Sequence, residues 1–130
     1  MASYNEENAI VEMINSIKQF SNDYDIEIIL VDSSSDNTPQ IAKEMGAVVF
    51  SQKPQGHGIA LRTALNKASK DIIITADCDN TYPLNYIPKL ASFIQSDNLD
   101  LISCNRLNAT LKKEMPLSNK IANIRKCSCN

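Results

Sequence analysis

Apolar positions along this chain switch period several times, and each switch predicts an element. Ile10, Met13, Ile14 and Ile17 recur at helical spacing, so residues 6–20 read as an amphipathic helix. Ile26-Glu-Ile-Ile-Leu-Val31 is almost continuously apolar, the pattern of a strand covered on both faces. A polar turn comes next, Asp32-Ser-Ser-Ser-Asp-Asn-Thr38, with Thr38 as N-cap and Pro39 at the first position of a helix. That helix runs to about Met45, and Gly46 stops it. Residues 47–50 predict a short strand and residues 53–58 a loop. Ala60, Leu61, Ala64, Leu65 and Ala68 mark the next helix. Ile72-Ile-Ile-Thr75 predicts a strand, 87–95 a helix and 99–104 a last strand. Beyond Arg106 the pattern fades to a helix over 117–126.

Strands alternating with helices mean βα units, a parallel sheet and right-handed crossovers. Such sheets bind ligands at the carboxyl ends of their strands. Asp32 and the pair Asp77-Cys-Asp79 both stand at ends of that kind. Side chains at i and i+2 leave a strand on one face, so Asp77 and Asp79 can converge on one cation. Hard oxygen ligands suit Mg²⁺ or Mn²⁺, which commonly also bind substrate phosphates. The chain opens Met1-Ala-Ser-Tyr4 and enters a helix directly, so the sheet is expected to lack a member.

Composition narrows the picture only modestly. At 130 residues, 43% hydrophobic and 22% charged, this is an ordinary globular domain. A net charge of −2 gives no general attraction to nucleic acid. Locally, Arg106, Lys112, Lys113, Lys120, Arg125 and Lys126 face the single acid Glu114. That stretch is either a solvated terminus or a surface drawn to phosphates or an anionic membrane. No signal-like segment and no apolar run of about 20 residues is present, so a cytoplasmic location is expected. Cys78, Cys104, Cys127 and Cys129 lack zinc-site spacing and read as reduced thiols.

The order of motifs resembles the family 2 glycosyltransferases, nucleotide-diphospho-sugar transferases of GT-A fold. Within them it is most similar to the dolichyl- or polyprenyl-phosphate sugar synthases. Tyr4-Asn-Glu-Glu7 is similar to the motif after the family's first strand, and Val31-Asp-Ser-Ser-Ser-Asp-Asn-Thr38 to its Val-Asp-x-x-Ser-x-x-Thr turn. Gln55-Gly-His-Gly-Ile-Ala60 resembles the Gly-Lys-Gly-x-Ala loop, with His57 in place of lysine. Asp77-Cys-Asp79 with Thr81-Tyr-Pro83 looks like the Asp-x-Asp motif and its extension. Ser103-Cys-Asn-Arg106 with Met115-Pro116 resembles the Gly-Ser-Arg segment and the region after it.

The resemblance implies a Rossmann-like, mostly parallel sheet with flanking helices, its first strand missing and its C-terminal part incomplete. Residues 1–106 would form the donor part, and 107–130 a basic, partly ordered segment. Tyr4, Glu6 and Asp32 would line the base and ribose pocket, although Asp32 also reads as a turn-forming aspartate. Asp77 would face the ribose or diphosphate and share the cation with Asp79. His57, the only histidine, reads as a loop residue rather than a catalyst. The implied partners are a nucleotide-diphospho-sugar, a polyprenyl phosphate at the cytoplasmic face of a membrane, and a second chain or copy that completes the fold. The alternatives are a nucleotide-sugar-binding module without turnover and a truncated remnant lacking the acceptor half. A phosphoacceptor receiver domain is disfavoured, because Lys112 and Lys113 lie outside any clear strand.

Overall fold

A computed structural model describes residues 1–80 and 82–104. The elements in order are β1 (Ala2–Ser3), α1 (Ile10–Lys18), β2 (Ile29–Asp32), α2 (Thr38–Glu44), β3 (Val48–Ser51), α3 (His57–Lys67), a 3₁₀ turn (Leu84–Tyr86) and α4 (Ile87–Ser96). The three strands form one parallel sheet in the order β1-β2-β3. This is the expected α/β architecture. The chain divides into two compact units, Met1–Ala91 and Ser92–Asn130, with the sheet in the first.

All four residues of β2 are buried, as its continuous apolar run requires. Ile28 and Leu30 join Ile10 and Ile14 of α1, Ala42 of α2, and Ala47 and Cys78 in one cluster. Ile29 and Val31 point the other way, onto Ala60 and Ala64 of α3. The period-2 alternation of a strand thus builds a core on each face. Each fully buried aliphatic side chain adds about 1.5–3 kcal/mol.

The chain does not enter a helix directly, because a first strand of two residues, β1, pairs in parallel with β2. Ala2 stands opposite Val31 and Ser3 opposite Asp32. The N-terminal amine donates to Ile29 O at 2.7 Å, and Val31 N donates to Met1 O at 3.0 Å.

Several boundaries differ from expectation for identifiable reasons. α1 starts at Ile10 rather than Glu6, because Asn5 takes φ +57° and the next residues form a turn closed by Ile10 N to Glu6 O. Thr38 lies inside α2. It is Asp36 that accepts the Thr38 N–H, at 3.0 Å, and so caps the helix. Gly46, at φ +81°, ends α2 with Gly46 N to Lys43 O and Ala47 N to Ala42 O, the Schellman pattern.

Two predicted strands are absent. Residues 72–75 carry no ladder, and Ile73 and Ile74 are close to half exposed. A strand needs a neighbour's backbone groups, and the two residues of β1 supply few. Residues 99–104 likewise form no strand, and Leu101 is 81% exposed. The helix expected over 117–126, the basic stretch and Met115-Pro116 lie outside the described residues. Among the described residues no helix is long and apolar enough to cross a membrane.

Candidate functional site

The residues singled out by sequence come from four places in the first unit. Tyr4 and Glu6 follow β1, Asp32 ends β2, His57 opens α3, and Asp77 and Asp79 lie between α3 and the 3₁₀ turn.

The loops after β1 and β2 are tied into one body by hydrogen bonds. Asp32 is 2% exposed. Its Oδ1 accepts from Ser3 Oγ and Ser34 Oγ, both at 2.6 Å, and its Oδ2 from Ser34 N at 3.0 Å. Ser34 Oγ in turn accepts Asn5 N at 2.7 Å, and Asn5 Oδ1 accepts Ser35 N at 2.9 Å. Thr38, wholly buried, accepts Glu6 N at 2.9 Å and donates to Asp36 Oδ1 at 2.6 Å. Glu7 N donates to Asp36 Oδ2, and Glu7 Oε2 accepts Asn37 N. A buried carboxylate needs such partners, and Asp32 has them from both loops.

The charges at this edge act on one another. Burial, then the negative charges of Asp79 and Asp36, hold the Glu6 carboxyl above its ordinary range. Asp79 is therefore within electrostatic reach of Glu6. Asp36 goes the other way. Desolvation opposes its charge, but the hydrogen bonds from Thr38 and from the Glu7 amide outweigh that and lower it. Across the edge, His57 Nε2 stands 3.8 Å from Asp77 Oδ1. The histidine expected in a loop is the first residue of α3, following Gly56 at φ +95°. Between the two aspartates, Cys78 is 3% exposed, and burial pushes its thiol up to about 12. It is a protonated core residue at neutral pH.

Tyr4 is 60% exposed and extends outward from the tied loops. Asp77 is partly exposed and Asp79 exposed. Among the described residues no three His, Cys, Asp or Glu side chains form a group able to hold a metal alone. The donor set of two carboxylates one residue apart nevertheless fits a hard cation that takes its other ligands from water and phosphate. Thr81 lies outside the described residues.

Sequence reasoning missed Asn5, Ser34 and Asp36 as the residues that join the loops. Only the clustering of Asn, Asp and Ser signalled them, since these side chains bond to nearby backbone. It also missed the approach of His57 to Asp77, which no local pattern encodes.

An edge of this kind, with acidic loops at the carboxyl ends of parallel strands, defines a class that the comparisons then specify. Residues 1–114 match Glycosyl transferase family 2. The chain belongs to that family. It is 40% identical over 124 residues to a dolichyl-phosphate hexose transferase of Haloferax volcanii, which covers 95% of this chain and 53% of the relative. It is 30% identical to the UDP-N-acetylglucosamine–dolichyl-phosphate N-acetylglucosaminyltransferase of Methanococcus voltae, over 94% of this chain and 57% of the relative. Protein RfbJ of Shigella flexneri is 32% identical, with 81% of each chain covered. The chain thus spans about half the length of the Haloferax relative. No solved structure matches.

Proposed function

We propose that residues 1–106 are the donor-binding part of a glycosyltransferase that moves a hexosyl group from a nucleotide diphosphate to a prenyl phosphate. The observation that carries this reading is the edge itself. A hydrogen-bonded platform of two loops lies at the carboxyl ends of β1 and β2, with the buried carboxylate of Asp32 at its centre. Family membership and relatives named as dolichyl-phosphate transferases support the reaction class.

In this reading Tyr4, Glu6 and Asp32 form the base and ribose wall. Tyr4 supplies a ring for stacking and Glu6 a carboxylate that accepts from ring N–H or ribose hydroxyls. Asp32 fixes the shape of that wall. Asp77 and Asp79 would hold Mg²⁺ or Mn²⁺, which would supply neutralisation of the charge on the leaving diphosphate. The anomeric carbon–oxygen bond to the diphosphate breaks, with its electron pair leaving on the nucleotide. A bond from the acceptor oxygen to the same carbon forms. A prenyl phosphate oxygen is already anionic, so no protein base is needed to deprotonate it. The basic residues Lys112, Lys113 and Lys120 would help hold such an anionic acceptor.

The test is calorimetric titration of the chain with GDP-mannose and UDP-glucose, with and without Mn²⁺. Binding that requires Mn²⁺ and is lost in Asp79→Ala supports the proposal. Absence of binding to either donor by the folded chain refutes it. Neutralising the three lysines should slow transfer to a lipid phosphate in any preparation that turns over, and an unchanged rate removes them from the acceptor site.

A further inference from the structure

Asp77 and Asp79 are not presented by a strand. Segment 71–76 makes no ladder, so the position of the pair depends on side-chain contacts around it. Cys78 anchors one side of Asp79, packed in the core with Sγ 3.5 Å from Ala2 O. Packing of this kind fixes depth but has little direction. The other side is anchored by Asn80, whose Nδ2 donates to Glu12 Oε2 at 2.9 Å across 68 positions of sequence. Asn80 has φ +57°, a left-handed turn that asparagine tolerates better than most residues. Glu12 stands on α1, whose Ile10, Met13 and Ile14 are wholly buried, so it projects from a fixed platform. Beside this contact lies a cavity of about 180 Å³, lined among others by Met13, Ser16, Tyr82 and Leu84. The bond thus spans the rim of that cavity and ties the turn to α1.

We infer that Glu12 is a positioning residue, which through Asn80 holds the turn after Asp79 and so sets where the carboxylate pair meets a diphosphate and its cation. This role rests on the donor-binding proposal above. It concerns a residue outside the Asp-x-Asp motif and remote from it in sequence.

The experiment uses the full chain and the variants Glu12→Ala, Glu12→Gln and Asn80→Gly. Asn80→Gly still permits the left-handed backbone and removes the side chain with its amide, at the cost of a freer backbone that Glu12→Ala does not share. Glu12→Gln keeps an acceptor oxygen. Each is titrated with UDP-glucose and GDP-mannose with and without Mn²⁺, and amide hydrogen exchange is followed at residues 79 and 80. Glu12→Ala and Asn80→Gly should lose roughly five- to tenfold of the Mn²⁺-dependent affinity, the worth of one hydrogen bond. Their exchange at 79 and 80 should speed up by a similar factor. Glu12→Gln should stay within about twofold of the parent in both. Unchanged exchange in Glu12→Ala overturns the inference, whether or not a donor binds. Faster exchange with undiminished Mn²⁺-dependent affinity overturns the positioning role as well. If the parent binds no donor, the donor-binding proposal fails by itself, and the exchange data alone decide whether Glu12 holds the turn.

Discussion

The two acidic parts of this edge are built in opposite ways. The loops after β1 and β2 share a dense set of hydrogen bonds centred on two carboxylates, Asp32 and Asp36, that are fully used within the protein. The segment bearing Asp77 and Asp79 has no ladder, and its contacts include those to His57, Ala2 and Glu12. In the first region the carboxylates make structure. In the second they are more exposed, and the donor-binding proposal has them meet a ligand. Substitutions in the first should therefore cost stability, and substitutions in the second should cost binding.

The largest stability effect is expected at Asp32. Asp32→Ala strands the Ser3 and Ser34 hydroxyls and the Ser34 amide beside a buried position, at a cost of about 3 kcal/mol in denaturant unfolding. A loss below about 1 kcal/mol would erase the distinction between the regions. Thr38→Val keeps shape and removes the hydroxyl that joins Glu6 N to Asp36, and about 1–2 kcal/mol should be lost. Asp79→Asn should shift the unfolding midpoint little, by less than about 1 kcal/mol, because the side chain is exposed. The same variant should lose Mn²⁺-dependent donor binding.

The smallest effect sharpens the comparison through pH. Glu6 has a folded pKa above its unfolded value, near 4.3. Its contribution to stability is thus complete below that value and is lost as pH rises through the raised one. Asp36 has the opposite sign. Its contribution is present above its unfolded value, near 3.9, and is lost as pH falls through the lowered one. Stability followed by thermal melting from pH 3 to 6 should therefore fall less steeply toward pH 6 in Glu6→Gln, and less steeply toward pH 3 in Asp36→Asn. A cation beside Asp79 should also lower the Glu6 pKa, so binding near pH 5 should release protons.

Much of the fold was written in local pattern. The apolar run of β2, the spacing of Ile10, Met13 and Ile14, and the left-handed Gly46 each need only nearby residues to be read. Segment 72–75 shows where that stops, since its Ile-rich run has strand character but the ladder depends on a neighbour. The site divides in the same manner. Asp32 was visible as an acid at a strand end, whereas Asp77 and Asp79 follow a segment that forms no strand. The bond from Thr38 N to Asp36 spans two residues and follows the local habit of aspartate in turns, while the contacts of His57 and Asn80 depend on approaches between distant segments. Sequence spacing carries no information about those.

Amide hydrogen exchange on the whole chain, with and without a nucleotide-diphospho-sugar and Mn²⁺, tests the contrast most directly. The account predicts that residues 3–7 and 32–38 are protected in both conditions, and that 77–80 gain protection only when donor and Mn²⁺ are present together. Equal protection of the two regions in the absence of ligand, or no gain at 77–80 on adding both, would contradict it.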